Sequence, residues 1–125
     1  MTSSETVSVA GTQIHEHDDV LVAVVSGELD MTSVDGIAAT LFEHLGTRPG
    51  GMVVDLAVSF LGSSGLSMLL ELNKRARRDG VGFALVATEA AAVRTLTASA
   101  LAHVLPVTQS VDEAVALVHG EPKRS

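Results

Sequence analysis

The residues of this sequence with the clearest potential for chemistry are two adjacent serines, Ser63 and Ser64, which stand between an apolar stretch and an amphipathic run. This spacing predicts that both serines lie at the amino terminus of a helix. Unpaired backbone N–H groups and the positive end of the helix dipole favour an oxyanion there, so a phosphate on Ser63 would be tolerated by its own fold. Composition alone favours a simpler interpretation, in which Ser63 or Ser64 caps the helix.

The other residue types that support catalysis or metal binding lack the necessary spacing. A hydrolase nucleophile needs glycine both two residues before and two after it, and neither Ser63 nor Ser64 meets that condition. His15 and His17 share one face of a possible strand with no third ligand in view, which favours surface histidines over a metal site. No phosphate-binding loop or dinucleotide fingerprint is present. We therefore expect no catalytic residue, no metal and no cofactor, and thus a protein that is not an enzyme.

Composition and charge narrow the choice of partner and compartment. The net charge of -7 disfavours nucleic acid, because lysine and arginine supply most of the affinity for phosphate backbones. With no cysteine, disulfides and thiolate chemistry are excluded. The longest apolar stretches, 20–25 and 81–87, are well short of the roughly 18 residues of a membrane span, and the amino terminus has no signal pattern. We expect a cytoplasmic protein without nucleic-acid binding or membrane insertion.

Hydrophobic patterns predict strands that alternate with helices. The predicted strands are 12–17, 20–26, 52–56, 81–87 and 104–107. The first predicted helix is 34–45, after Thr32 or Ser33 and before Gly46, and the second begins near Ser63 or Ser64 and runs to about residue 79, closed by Gly80. The third runs from the Thr88 cap to about residue 100, and the fourth is 111–118 with Ser110 and Glu113 as a capping box. Such alternation implies parallel pairing. We predict one α/β domain over 7–119, with an initial antiparallel hairpin in a largely parallel sheet of about four to five strands, about four helices, and flexible tails at 1–6 and 120–125.

The helix predicted after Ser63 separates into two faces. Its sheet-facing residues are expected to be Leu66, Leu69, Leu70, Asn73 and Ala76. Ser67, Met68 and Glu71 point elsewhere, and an adaptable methionine beside a modifiable serine indicates a partner-contact surface, although a single exposed methionine is common. The basic cluster 74–78 is interpreted as solvated residues of a last helical turn rather than as a nucleic-acid patch.

Two segments compete for the position beyond the carboxyl ends of the strands, where α/β sheets collect functional residues. These segments are 27–30 and 60–65. Their residues and the order of the surrounding elements resemble the STAS family, specifically the bacterial anti-sigma factor antagonists. The matching pieces are Gly27-Glu28-Leu29-Asp30, Val53-Val54-Asp55-Leu56, Phe60-Leu61-Gly62-Ser63-Ser64-Gly65-Leu66 and Ala91-Ala92-Val93-Arg94. The resemblance covers about residues 20–118, and its specificity comes from the joint order and spacing of the pieces.

The resemblance implies a phosphorylation switch in transcription regulation and stress response. Ser63 falls on the position phosphorylated by a partner kinase of the histidine-kinase-like ATPase type, which is itself the anti-sigma factor; Ser64 is the alternative acceptor. The unmodified protein would bind the anti-sigma factor and release the sigma factor, and a serine phosphatase would reverse the modification. The residues expected to contact partners are Asp30, Gly62, Ser63, Ser64, Gly65, Ser67, Met68 and Glu71.

One departure from the family leaves a second function open. Relatives usually carry Asp immediately before the phosphorylated serine, whereas this chain has Gly62, so the resemblance does not decide whether a standard kinase recognises the loop. Related STAS domains also serve as accessory subunits of lipid-transporting ABC systems, docking on the ATPase without phosphorylation.

Overall fold

The computed structural model describes the backbone of residues 7–9 and 11–119 and the side chains of 11–100 and 103–118. The tails predicted at 1–6 and 120–125 lie outside the described residues. Within the described part, no helix combines the length and the apolar character needed to cross a membrane.

The described residues form a six-stranded sheet with four α-helices and one short 3₁₀ helix. The strands are β1 (Val7–Val9), β2 (Thr12–His17), β3 (Val20–Leu29), β4 (Gly51–Leu61), β5 (Gly82–Val86) and β6 (Val107–Thr108); the helices are α1 (Val34–Leu45), α2 (Ser63–Asp79), α3 (Ala90–Ala98) and α4 (Val111–His119), with the 3₁₀ helix at Ala100–Val104. The strand order is β1-β2-β3-β4-β5-β6. Strands β1 to β3 pair antiparallel, and β3 to β6 pair parallel. The α/β class and the initial hairpin are confirmed, and β1 is a strand that the sequence did not predict.

The central strands β3 and β4 carry both hydrophobic cores, because successive side chains along a strand face opposite sides of the sheet. Val54 and Leu56 belong to the larger core, which includes buried residues of α1, α2 and α3. Val22 and Val53 belong to the smaller core, which α4 covers. Their β-branched, nearly continuous apolar sequences suit strands that are buried on both faces.

Both central strands extend beyond their predicted ends. Leu29 of β3 pairs with Leu61 of β4, and both side chains are buried. The pairing register shifts between Gly27 and Glu28, so that β4 carries one extra residue at Ser59. Gly27 has a φ of 87°, which glycine adopts without the penalty of a side chain. The bulge therefore lets the strands continue through segments that were predicted as loops.

The ends of α1 and α2 agree with the prediction, whereas the region around α3 does not. Gly80 closes α2 in the left-handed conformation with a φ of 73°. The cap predicted at Thr88 is wrong, because Glu89 occupies the N-cap position of α3. The strand predicted at 104–107 is also wrong in its bounds: the 3₁₀ helix runs to Val104, and strand pairing starts only at Val107.

Candidate phosphorylation and docking site

The two segments that competed in the sequence meet at one edge of the sheet. Because Leu29 and Leu61 are paired neighbours in parallel strands, the loop after β3 and the loop after β4 leave the sheet side by side. The N–H of Gly62 donates a hydrogen bond of 3.0 Å to the carbonyl of Leu29. The segment containing Asp30 and the segment containing Ser63 therefore form one continuous surface.

Ser63 is the first residue of α2, and its side chain is exposed. The N-cap residue is Gly62, with extended backbone (φ -92°, ψ 179°) and no side-chain cap. The interpretation that Ser63 or Ser64 caps the helix is therefore wrong, since both serines lie inside the helix. Among the described residues, neither hydroxyl has a hydrogen-bond partner, and Ser64 is only half-exposed.

The amino end of α2 has unpaired N–H groups and no compensating charge. The first helical hydrogen bond runs from the N–H of Leu66 to the carbonyl of Gly62 at 3.1 Å. The N–H groups of Ser63, Ser64 and Gly65 precede that bond and have no acceptor within the helix. No acidic residue lies in the first turn. The positive end of the dipole is thus open to an anion at the position of the Ser63 hydroxyl.

Asp30 organises the loop after β3 from within. Its Oδ1 accepts hydrogen bonds from the Thr32 hydroxyl at 2.8 Å, the Thr32 N–H at 3.0 Å and the Ser33 N–H at 3.2 Å. Hydrogen bonds from the side chain and backbone of Thr32, and then from Ser33, lower the pKa of Asp30 below its ordinary value. The Ser33 hydroxyl donates to the carbonyl of Glu28 at 2.6 Å. Asp30 is therefore an ionised carboxylate that holds this turn in place.

Two exposed apolar side chains at this edge were not predicted as contact residues. Met31, inside the turn held by Asp30, is 75% exposed, and Phe60, near the end of β4, is 49% exposed. A Cβ built on Gly62 would lie 3.0 Å from Cε2 of Phe60, so the aromatic ring packs beside the N-cap glycine. The available signal for Met31 was a long apolar residue within an otherwise polar turn, with no place in a core-facing period.

The remaining predicted contact residues divide between the surface and the core. Ser67 and Glu71 are exposed and lie one helical turn apart on α2. Gly65 is buried, and a Cβ on it would lie 2.7 Å from Cγ of Leu29. The expectation that Met68 points away from the core is wrong, because it is 6% exposed and belongs to the larger core. Since α2 packs against α1 as well as the sheet, its buried face is wider than the stripe that the sequence predicted.

The burial of individual residues along α2 shows this wider buried face. Its buried residues are Gly65, Leu66, Met68, Leu69, Leu72, Asn73 and Ala76. Leu72 was not predicted to be buried, and Leu70 is only half-buried. In the basic cluster, Arg75 and Arg78 lie 3.7 Å and 3.4 Å from carboxylate oxygens of Asp79.

Other titratable residues lie away from this edge. Asp55 is half-buried in β4, where burial, and then the Glu89 carboxylate, raises the pKa of its side chain. It alternates with Val54 and Leu56 and so faces the side of the sheet that α4 covers. His15 and His17 lie on β2, and no group of three potential metal ligands occurs among the residues that the structure describes.

Comparisons with known proteins agree with this geometry. The STAS domain family matches residues 12–114. An anti-sigma factor antagonist from Mycobacterium paratuberculosis is 32% identical, with 86% of this chain and 92% of that chain covered and a TM-score of 0.80. An anti-sigma-factor antagonist (STAS) domain protein from Planctomyces limnophilus is 27% identical, with 89% and 99% covered and a TM-score of 0.74. No match is found among the curated proteins. Because the family match covers most of the chain, the protein belongs to the STAS domain family.

Proposed function

We propose that this protein is a non-enzymatic, cytoplasmic anti-sigma factor antagonist whose binding to an anti-sigma factor is controlled by phosphorylation of Ser63. The observation that carries the proposal is an exposed serine hydroxyl at the first position of a 17-residue helix, with no hydrogen-bond partner among the described residues. The similar solved structures from Mycobacterium paratuberculosis and Planctomyces limnophilus, both described as anti-sigma factor antagonists, support the choice of partner.

The proposed modification is an ordinary phosphoryl transfer from ATP to the Ser63 hydroxyl. The anti-sigma factor, as a kinase of the histidine-kinase-like ATPase type, transfers the γ-phosphoryl group of ATP to the Ser63 oxygen and releases ADP and the hydroxyl proton. A serine phosphatase hydrolyses the ester to the hydroxyl and inorganic phosphate. Ser63 is favoured over Ser64 because Ser63 is exposed and Ser64 is half-buried.

The fold accommodates the added charge without unfolding. A phosphoserine carries roughly -1.5 to -2 charges at neutral pH. At Ser63 this charge meets the unpaired N–H groups of the first turn of α2, where an anion typically contributes about 0.3–1 kcal/mol to stability. The phosphate therefore changes the docking surface while the domain stays folded. The unmodified protein binds the anti-sigma factor, and the phosphorylated protein releases it.

The absence of a side chain at Gly62 limits what the kinase can recognise in this loop. Relatives are expected to have a carboxylate at this position, and this chain has only backbone there, with the Phe60 ring beside it. The kinase must therefore recognise the loop through its backbone and through side chains outside position 62. Gly62 has a φ of -92°, which any residue adopts, so the variant Gly62→Asp is compatible with the backbone once the Phe60 ring, 3.0 Å from the new Cβ, moves slightly. The variant compares phosphorylation with and without the carboxylate.

The decisive experiment compares isosteric variants of Ser63. Ser63→Asp adds a charge, Ser63→Asn has nearly the same shape without it, and Ser63→Ala removes the hydroxyl. Titration calorimetry against candidate anti-sigma factors is expected to show binding by wild type, Ser63→Asn and Ser63→Ala, and a loss of about 30-fold or more for Ser63→Asp. Equal affinities of the Asp and Asn variants would contradict the proposal.

Two further measurements identify the partner and the modified residue. Affinity purification from the native cell is expected to recover a histidine-kinase-like ATPase; recovery of a transporter ATPase would instead support the accessory-subunit function of the ABC system. Intact-mass analysis should show a species heavier by about 80 Da, which fragmentation assigns to Ser63. Absence of that species under all growth conditions would count against the switch.

A further inference from the structure

We infer that the anti-sigma factor has an apolar cleft that receives Met31 and Phe60 and that this contact supplies most of the affinity. A phosphate on Ser63 then blocks docking, because it would have to lose its hydration beside these two side chains. This inference rests on the proposed function and specifies the chemistry of its partner surface.

Met31 has the exposure and the rigidity of an interface anchor. At 75% it is the most exposed large hydrophobic side chain in the described part of the chain. Its backbone is not free to turn inward, because Asp30 accepts hydrogen bonds from the two residues that follow Met31, Thr32 and Ser33. A flexible thioether on a fixed turn adapts to an apolar pocket at little cost in backbone entropy.

Phe60 is turned outward by the irregularity in β4. Val58 and Leu61 are buried, and the extra residue at Ser59 separates them by two exposed positions instead of one. The outward residue next to Ser63 is therefore an aromatic ring, which lies against Gly62. Aromatic side chains are the typical energetic centres of protein interfaces.

Ser63 belongs to the same surface as both anchors. It follows Phe60 by three residues, and the hydrogen bond between Gly62 and Leu29 brings its loop beside the turn that carries Met31. A neutral serine hydroxyl is easily covered by a partner, whereas a phosphate loses its hydration when the apolar contacts close around it. Two carboxylates border this surface: Glu28, which is exposed and pairs with Phe60 in register, and Asp30, which lies in the turn that carries Met31.

Val104, a second exposed apolar residue, provides the matched control. Val104 is 60% exposed, and its carbonyl accepts a hydrogen bond from the Asn73 amide. Asn73 lies ten residues after Ser63 on α2, which is about 15 Å along the helix. Val104→Ala therefore removes exposed apolar area of a similar kind, far along α2 from Ser63 and the two proposed anchors.

The test measures the affinity of the anti-sigma factor that binds the wild-type protein. Met31→Ala and Phe60→Ala are each expected to weaken binding on the order of 10- to 100-fold, whereas Met31→Leu and Val104→Ala stay within about threefold. Thermal unfolding checks that each variant is folded; should Phe60→Ala unfold, Phe60→Gln in its place is expected to weaken binding to a similar extent, because a polar side chain cannot replace the aromatic contact at this 49% exposed position. Raising the salt concentration is expected to change the wild-type affinity little, because apolar contacts are not screened.

The outcomes separate this inference from the proposed function. If no anti-sigma factor binds the wild type, or if Ser63→Asp and Ser63→Asn bind equally, the proposed function fails. If the Ser63 variants differ as expected but Met31→Ala and Phe60→Ala bind as well as Val104→Ala, the switch stands and the apolar cleft is refuted. A strong loss of wild-type affinity with salt, together with a large effect of Glu28→Gln, would show that the partner surface is charged.

Discussion

The starts of α2 and α4 are built in opposite ways. At α4, the Ser110 hydroxyl accepts a hydrogen bond from the N–H of Glu113 at 3.0 Å, and the Glu113 carboxylate accepts one from the N–H of Gln109 at 3.0 Å. The first turn of α4 also contains two acidic residues, Asp112 and Glu113. At α2, the cap is a glycine without a side chain, and the first turn has no acidic residue.

This difference separates stability from function. The start of α4 already uses its donors and its dipole, so there is little for a further anion to gain. The start of α2 leaves both unused, and the helix is held instead by packing, with Leu66, Leu69 and Leu72 buried in the larger core. Because the start of α2 lacks a capping side chain and an acidic residue, a phosphate added to Ser63 can interact with its free N–H groups.

The largest effect is expected when the packing that holds α2 in place of the missing cap is disrupted. In Gly65→Val, the new side chain would meet Leu29 and Leu61, since a Cβ alone would lie 2.7 Å and 2.8 Å from their side-chain carbons. We expect a loss of about 2–3 kcal/mol in the free energy of unfolding, measured by urea denaturation. Ala116→Val, at an exposed position of α4, is the control and should change it by less than about 0.5 kcal/mol. Equal effects would mean that α2 does not depend on this close approach.

The next largest effect compares the two serines directly. Ser110→Ala removes the hydroxyl that caps α4 and is expected to cost about 1 kcal/mol of unfolding free energy. Ser63→Ala removes a hydroxyl without a partner and should change it by less than about 0.5 kcal/mol. Thermal and urea unfolding of both variants provide the measurement. A loss at Ser63 as large as that at Ser110 would mean that the Ser63 hydroxyl does stabilise its helix.

The same contrast shows how far the sequence determines the site. The limits of α1 and α2 were predictable because glycine and the apolar period mark them locally, as at Gly46 and Gly80. The interaction of Ser110 with Glu113 was predictable for the same reason. These features depend on residues within one or two turns of each other.

The features that failed depend on contacts between distant segments. Gly62, and not Ser63, occupies the cap position, and its N–H donates to the carbonyl of Leu29, more than thirty residues away. Met68 is buried in the larger core, to which several distant elements contribute, and the outward direction of Phe60 depends on the bulge at Ser59. A periodicity within one segment carries no information on such neighbours.

A smaller effect is expected when a negative charge is placed at the uncapped start of α2. Phosphorylated Ser63, or Ser63→Asp, is expected to raise the free energy of unfolding by about 0.3–1 kcal/mol relative to Ser63→Asn, because the negative charge meets the positive helix end. The gain should shrink when salt is added, since the site is exposed. Urea unfolding at low and high salt tests this. A lower stability of the charged form would show that the open N–H groups do not favour an anion.

The smallest effect concerns a third helix start, that of α3, where an acidic residue is present but unfavourably placed. Glu89 is the N-cap residue of α3. The burial of Asp55 and, as the smaller cause, the nearby Glu89 carboxylate raise the pKa of Asp55 above the ordinary 3.8. A raised pKa means that the folded state holds the Asp55 proton more tightly than the unfolded state. The contribution of Asp55 to stability therefore falls as the pH rises above 3.8 through the raised pKa.

Asp55→Asn is expected to remove that part of the pH dependence and to unfold at a higher urea concentration than wild type at neutral pH, because no carboxylate has to ionise in a half-buried position. The check is a series of urea transitions between about pH 4 and 8 for both proteins, with Asp35→Asn, an exposed carboxylate in the first turn of α1, as the control. Asp35 lies where the dipole favours a negative charge, so its removal should shift stability in the opposite direction. Parallel curves for wild type and Asp55→Asn would mean that Asp55 ionises as easily in the fold as in the unfolded chain, and the start of α3 would then carry no strain from its acidic pair.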